Sequence, residues 1–251
     1  MDEIRIVTRA DDMGVAPNAN RAIIETLTRG IARNVSVLTG APFFEEAAEL
    51  LQGLPGIDVG VHFALNAEWD NLRWGPVLPA DQVRSLVDEH GHFFKTAMEL
   101  HERGANPEQM LAEAHAQIQR ARAFGLTPSY LDVHMGVDWV GRITERLARL
   151  CRAEGLLFAP PIGARLPQPP DGLKAEPDRF VAQLERAAPG LYACVGHPMY
   201  DDEEARPFSL SGSPPGEVGR DRDGQRRMFV DARVLAVVQK RGIRPIRYGE
   251  A

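Results

Sequence analysis

The chain has 251 residues, 44% hydrophobic and 25% charged, an ordinary globular balance whose length suits one sizeable α/β domain. Lys and Arg total 29 against 35 Asp and Glu, a formal charge of −6 with no basic patch, so nucleic acid is not an expected partner. Cys151 and Cys194 read as buried thiols rather than a disulfide frame, no uncharged apolar run approaches the roughly 20 residues that span a bilayer, and MDEIRIVTRADD lacks the plan of a signal peptide; a cytoplasmic protein is expected.

Short β-branched or apolar runs recur along the chain. They are IRIVT (4–8), NVSVLT (34–39), IDVGVHFAL (57–65), SYLDVH (129–134), LLFA (156–159), LYACVGH (191–197) and IRPIRY (243–248). Helical patterns lie between them. The first, 18–29, ends at Gly30, a plausible C-cap. The second, 107–124, has Asn106 to cap it, Pro107 at its first position and Gly125 to end it; Leu111, Ala114, Ile118 and Ala121 share one face. Residues 139–153 and 226–241 read as helices in the same way. Strand and helix alternating about seven times predicts parallel strands with crossover helices, hence a distorted (β/α) barrel in a single domain over 1–251, with an open doubly wound sheet as the alternative. Three stretches break the rhythm: 66–106, 160–177 and 198–223. All follow strand ends, where parallel α/β folds place their sites, and read as walls or lids of a pocket.

Polar residues gather at the same strand ends: Asp11 and Asp12 after the first strand, His62 in the third, Asp132 and His134 at the end of the fourth, His197 at the end of the sixth. A barrel brings these ends to one mouth. A carboxylate and two imidazoles are usual ligands of Zn²⁺ and other divalent metals, and three protein ligands leave room for water and substrate. Each residue has a bland reading. The paired acids could be turn or N-cap residues, and His62 a hydrogen-bonded core histidine. His90, His92, His101 and His115 read as surface or packing residues, and Cys194 as core. Trp69, Arg73 and Trp74 are either a packed connection or a platform for a sugar ring. The coincidence of acids and imidazoles at four strand ends favours the metal reading.

The order ADDMG, GVHFAL, YLDVHMGV, GHPM resembles the YdjC-like family of carbohydrate deacetylases acting on chitooligosaccharides, whose patterns are roughly A-D-D-[FL]-G, G-[LV]-H-L-x-L, H-x-D-S-H-x-H and H-P-G. The four matches stand in the family's order across most of the chain. The resemblance implies a distorted barrel related to polysaccharide deacetylases, and a divalent metal (Zn, Mg or another) used to remove acetyl groups from N-acetylglucosamine units. It implies Asp12, His62 and His134 as metal ligands, Asp11 as general base and His197 as its partner acid. Trp69, Arg73 and Asp132 are the expected substrate contacts, the partner an N-acetylated sugar, and a homodimer is in keeping with the resemblance. The chain departs from the pattern at Tyr130 and Gly136, where the family has His, and at Met199, where it has Gly. These departures point to a changed substrate pocket. Two rivals are another metal-dependent amide or ester hydrolase and a non-catalytic sugar-binding protein on the same barrel.

Overall fold

Strand β1 runs from Ile4 to Met13, past the IRIVT run, so both acids of ADDMG lie within the strand. The computed structural model describes residues 3–158 and 162–251. After β1 come helix α1 (Pro17–Thr28), β2 (Asn34–Val37), α2 (Phe44–Leu51), β3 (Asp58–Phe63), α3 (Ala97–Glu102), α4 (Pro107–Ala123), β4 (Tyr130–Val133), α5 (Thr144–Ala153), β5 (Leu157–Phe158), α6 (Glu176–Arg186), β6 (Gly190–Gly196), α7 (Glu217–Val230), α8 (Ala232–Arg241) and β7 (Arg244–Ile246). Ala159, Pro160 and Pro161, which close the expected LLFA strand and open the Pro-rich stretch, lie outside the described residues.

Among the described residues seven strands pair in parallel, six of them in the order β5-β4-β3-β2-β1-β6 and β7 beside β1. From β1 to β5 each strand is added beside its predecessor, without the reversal of a doubly wound sheet. β7 pairs with residues 5–7 of β1 and β2 with residues 9–13, so the two share one edge of β1 while β6 takes the other. Asn34 stitches this changeover: its amide donates to the carbonyls of Thr8 (2.8 Å) and Ile246 (3.0 Å), and its carbonyl accepts from Tyr248 N (2.8 Å). An isolated parallel bridge between Ala164 and Tyr192 links the chain beyond β5 to β6 and brings the half-barrel round. The expected distorted barrel is therefore present.

Several helices differ from the sequence reading. The stretch 226–241 is two helices, broken at Asp231, whose side chain caps α8 by accepting from Arg233 N at 2.8 Å. The stretch 139–153 is α-helical only from Thr144, because left-handed backbone at Gly141 (φ 61°) and Arg142 (φ 54°) separates that helix from the irregular 3-10 turns before it. α1 ends without a left-handed glycine. Gly30 instead permits a close approach, since a Cβ there would stand 2.6 Å from the carbonyl oxygen of Phe229. α2, α3 and α6 had no counterpart in the periodicity.

On α4, Asn106 caps as expected, accepting from Glu108 N at 2.8 Å, and Ala114, Ile118 and Ala121 are buried while Leu111 is only half-buried. The same buried face carries Glu113 and Gln117. Glu113 accepts from Val77 N (2.8 Å) and Leu78 N (3.0 Å), and Gln117 pairs with both backbone groups of Ala64. These bonds satisfy buried backbone groups in the connection after β3 and hold that connection over the mouth of the barrel.

Inside the barrel, below the strand ends, Val7, Tyr130, Ile246 and Tyr248 form a separate apolar cluster. The rings of Tyr130 and Tyr248 lie 4.6 Å apart, and Tyr130 Oη bonds Ser36 Oγ at 3.0 Å. Tyr130, the residue standing where the family pattern has His, thus plugs the barrel floor. Gly60 makes room for it: a Cβ on Gly60 would lie 2.1 Å from the Tyr130 ring.

Candidate active site

Successive side chains of a strand point to opposite faces, so two adjacent acids cannot both enter one cavity unless the strand is broken. β1 is broken at that point. Asp12 has left-handed backbone (φ 68°), and the pairing with β2 shifts register between Ala10 and Met13. The strain turns Asp12 in beside Asp11. Both are buried and line one cavity of about 390 Å³ with His62, His134 and His197.

Three atoms converge there. His62 Nε2 lies 3.4 Å and His134 Nδ1 3.3 Å from Asp12 Oδ1, and the two ring nitrogens are 3.2 Å apart. These are the edges of a tetrahedron whose centre stands about 2.0–2.1 Å from each corner, the usual distance of Zn²⁺ from nitrogen and oxygen ligands. Asp12 Oδ1 is buried without a hydrogen-bond partner. The outer nitrogens of both rings are engaged: His62 Nδ1 donates to Asp132 Oδ1 (3.1 Å) and His134 Nε2 donates to Glu68 Oε2 (3.0 Å). Those carboxylates fix each tautomer so that a lone pair faces the shared centre, the arrangement common behind metal-bound histidines. The donor set fits one divalent cation. Asp11, His62 and Asp132 form a second, overlapping group of possible ligand atoms.

Charge in the cavity is tightly paired. Arg9, two residues before Asp11 and therefore on the same strand face, holds Asp11 with Nε and Nη2 at 2.6 and 2.7 Å. Its Nη1 meets Asp132 Oδ2 at 2.9 Å and donates to Tyr248 Oη at 2.9 Å. Burial pushes the Asp11 carboxyl up, but Arg9, then His62, outweigh it and hold it below the usual range. Arg222 of α7 donates to Asp12 Oδ2 at 2.7 Å. Against the same opposition from burial, Arg222 and the two imidazoles hold Asp12 well below the ordinary carboxylate value. Burial disfavours charge on His134, yet Glu68, followed by Asp12, keeps its pKa at about 9. A proton and a metal compete for that ring.

The remaining expected residues separate. His197 half-faces the cavity, and Gln225 Oε1 accepts from its Nδ1 (3.1 Å) and from its backbone N–H (2.7 Å), leaving Nε2 toward the cavity. Trp69 lines the cavity, packed edge-on against Phe208 with the Arg222 guanidinium 4.9 Å over its ring. Arg73 does not reach it. Its guanidinium binds the Phe93 carbonyl and lies 3.6 Å from Asp88, which ties its own loop together. Asp132 is likewise occupied, by His62, Arg9 and Ser36, and serves the ring of His62. Trp74 is buried, its ring 6.2 Å from that of His134. Of the three long stretches, 66–106 contributes Glu68 and Trp69 to the cavity, and 198–223 contributes Leu210 and Arg222. No described residue of 160–177 lines it. His115 pairs with Glu154 at the surface, His101 lies against Trp139, and both cysteines are free thiols.

Sequence reasoning missed Arg9, Glu68, Arg222 and Gln225. Arg9 carried a signal, since the strand period puts it on the face of Asp11. Glu68, Arg222 and Gln225 come from connections and a helix whose approach to the mouth no local pattern gives.

Residues 5–240 match the profile of the family described as YdjC-like protein. The chain belongs to the YdjC-like family. This YdjC-like protein is 29% identical to a carbohydrate deacetylase of Geobacillus stearothermophilus, over 97% of this chain and 96% of that one. It is 28% identical to a carbohydrate deacetylase of Halalkalibacterium halodurans, over 82% and 90%. Among solved structures it resembles a candidate cellobiose-phosphate cleavage protein of Enterococcus faecalis, with a TM-score of 0.79, 23% identity and coverage of 99% and 98%. A peptidoglycan N-acetylglucosamine deacetylase shares the fold at a TM-score of 0.53 and 11% identity, over 99% and 88%. Among the described residues no helix is long and apolar enough to cross a membrane.

Proposed function

We propose that this YdjC-like protein is a divalent-metal-dependent carbohydrate deacetylase, hydrolysing the amide of an N-acetylated sugar. The observation that carries the reading is the convergence of Asp12 Oδ1, His62 Nε2 and His134 Nδ1 at 3.2–3.4 Å in a cavity that also holds Asp11 and His197. The relatives named as carbohydrate deacetylases support the substrate class.

Asp12, His62 and His134 would hold the metal. When bound, such a metal polarises the acyl carbonyl and acidifies water beside it. Asp132 and Glu68 keep the two rings turned to that position. Asp11 accepts the proton of the attacking water; Arg9 keeps it ionised at neutral pH and fixes its orientation, at the cost of some basicity. His197, held through Nδ1 by Gln225, donates from Nε2 to the leaving amine, which departs poorly without a proton. Trp69 offers part of the wall against which the sugar rests.

Acetate release should be followed across N-acetylated mono- and oligosaccharides, with chelator-treated protein and after adding back Zn²⁺, Mg²⁺ or Mn²⁺. Release restored by metal supports the proposal. Protein carrying a full complement of metal that releases no acetate from any of them overturns it.

A further inference from the structure

Beneath the catalytic cavity lies a second chamber of about 370 Å³. Arg9, Val133, Gly136 and Val195 line both, so the two are continuous. Beyond that shared collar Val7, Phe158, Ala193 and the ring of Tyr248 give the chamber a mostly apolar wall, to which Asp132, Asp138 and Thr144 add polar groups. The positions follow the strand period. On β1, Val7 stands one repeat below Arg9 and two below Asp11; on β6, Ala193 stands one repeat below Val195 and two below His197. Each repeat descends about 6.6 Å, so the chamber opens directly under the reacting groups and extends roughly 13 Å from the level of His197. Gly136 leaves open space where the two adjoin. It sits at the collar in left-handed backbone (φ 63°), and a Cβ there would meet no atom within 4 Å. The family pattern has a His at this position, and an imidazole would project into that open space.

An acetyl group fills little of such a chamber, and its mostly apolar lining suits an alkyl chain better than a sugar ring, which needs hydrogen-bonding partners all round. The Arg9 guanidinium forms the boundary, its Nε and Nη2 on Asp11 and its Nη1 on Asp132 and Tyr248, so the polar reacting centre and the apolar chamber meet at one residue.

We infer that the chamber receives the acyl chain of the substrate, and that the protein acts on sugars whose amino group carries an acyl chain longer than acetyl. The inference rests on the deacetylase reading above and specifies its substrate. The reaction is the same hydrolysis. Water oxygen bonds to the acyl carbon, the carbon–nitrogen bond breaks, the amine gains the proton, and the products are a fatty acid and an amino sugar.

The test is kcat/KM of the metal-loaded protein for glucosamine carrying N-acetyl, N-butyryl, N-hexanoyl and N-octanoyl groups, together with calorimetric binding of octanoate and acetate. The expected result is a rise of about fourfold per methylene until the chamber is full, the worth of a buried CH₂ group, and tighter binding of octanoate. Ala193→Phe, which fills the chamber below the collar, should collapse the octanoyl-to-acetyl ratio and the octanoate preference. Gly136→His should do so too, by closing the collar; His tolerates left-handed backbone better than most residues, so this variant carries the test if Ala193→Phe does not fold. Rates that fall from acetyl to butyryl in the parent protein overturn the inference, as does a rise with chain length that neither variant alters. Both results leave acetyl hydrolysis standing. Failure to hydrolyse any of the four overturns the deacetylase reading itself, a separate outcome.

Discussion

Arg9 grips both carboxylate oxygens of Asp11, Nε on Oδ1 at 2.6 Å and Nη2 on Oδ2 at 2.7 Å, while the neighbouring Asp12 is held by Arg222 from a helix more than 200 residues away. Two adjacent acids thus have separate cations and separate environments. Equal-sized amide substitutions should fail differently. Asp12→Asn replaces an anionic ligand with a neutral one, and metal content should fall. Asp11→Asn leaves the three converging atoms in place and removes the proton acceptor, so metal should stay while kcat drops by about 10²–10⁴. If both acids served only as turn or cap residues, each change would cost about 1 kcal/mol of stability with activity kept. Elemental analysis and acetate release on the two variants decide between these outcomes.

Glu68 should tune the metal site without touching the metal. Its Oε2 accepts from His134 Nε2 at 3.0 Å and fixes which nitrogen faces inward. Glu68→Gln keeps the shape but can present an N–H to the ring and permit the wrong tautomer. Metal affinity should weaken by about 10–100-fold, read by competition with a chelating dye. Equal affinity in the variant would show that the ring is held by packing alone.

Trp69 joins packing and binding. It is 4% exposed, wedged between Phe208 and the Arg222 guanidinium, yet lines the cavity. Trp69→Ala should cost about 3–5 kcal/mol of stability, seen as a lower melting temperature. It should also raise KM more than it lowers kcat, the sign of lost uniform binding. A lower melting temperature with unchanged KM would assign the ring to packing only.

The barrel floor gives a prediction free of metal. An added methyl at Gly60 would stand 2.1 Å from the Tyr130 ring, which is fully buried, bonded to Ser36 and stacked on Tyr248. Gly60→Ala should destabilise by about 1–3 kcal/mol, each kcal/mol lowering the melting temperature by roughly 2–4 °C. Combining it with Tyr130→His, a smaller ring, should recover part of the loss. Strict additivity of the two changes would place the clash elsewhere.

Asp231 supplies a pH dependence away from the site. Hydrogen bonds from Arg233 hold its carboxyl below the usual 3.8. A depressed value means stability that is complete above the unfolded value and is lost as pH falls through the folded one. Asp231→Ala should therefore melt lower than the parent at neutral pH, by the equivalent of about 0.5–1 kcal/mol for a partly exposed cap. The gap should hold down to about pH 5 and close below pH 4. A gap independent of pH would mean the cap acts without its charge.

The alternation of strands and helices is strong along this sequence, and the barrel follows from it because each crossover places a strand beside the last. The convergence of Asp12, His62 and His134 was legible for a related reason: all three sit at strand ends, and a barrel has one mouth. What the sequence could not give lies in the connections. Glu68 is one acid among several after β3, and it is brought to the cavity by tethers from distant residues, among them Glu113, Gln117, Phe94 and Ser209, that no local pattern gives. Arg222 and Gln225 belong to a helix whose polar N-terminal half reads as loop. Arg73 stands outside the cavity with its guanidinium on the Phe93 carbonyl, a partner that a cation beside two tryptophans gives no sign of in sequence. The left-handed backbone of Asp12 has no sequence signature, although it is what lets neighbouring acids share a cavity.

β1 carries Arg9, Asp11 and Asp12, and it is also the strand whose partners lie farthest along the chain. Ile4 pairs with Gly190, Arg5 with Arg244, and Arg9 meets Tyr248, 239 residues away. During synthesis β1 can pair only with β2 until β6, which begins at Gly190, has followed it. Contacts so distant are slow to close. The acids therefore precede much of what encloses them, and a ribosome-bound chain halted before β6 would carry Arg9, Asp11, Asp12, His62 and His134 but lack His197, Arg222 and the Ile246–Tyr248 part of the floor. Closure of the cavity around Asp11 and Asp12 therefore waits on β6 and α7, elements made long after β1.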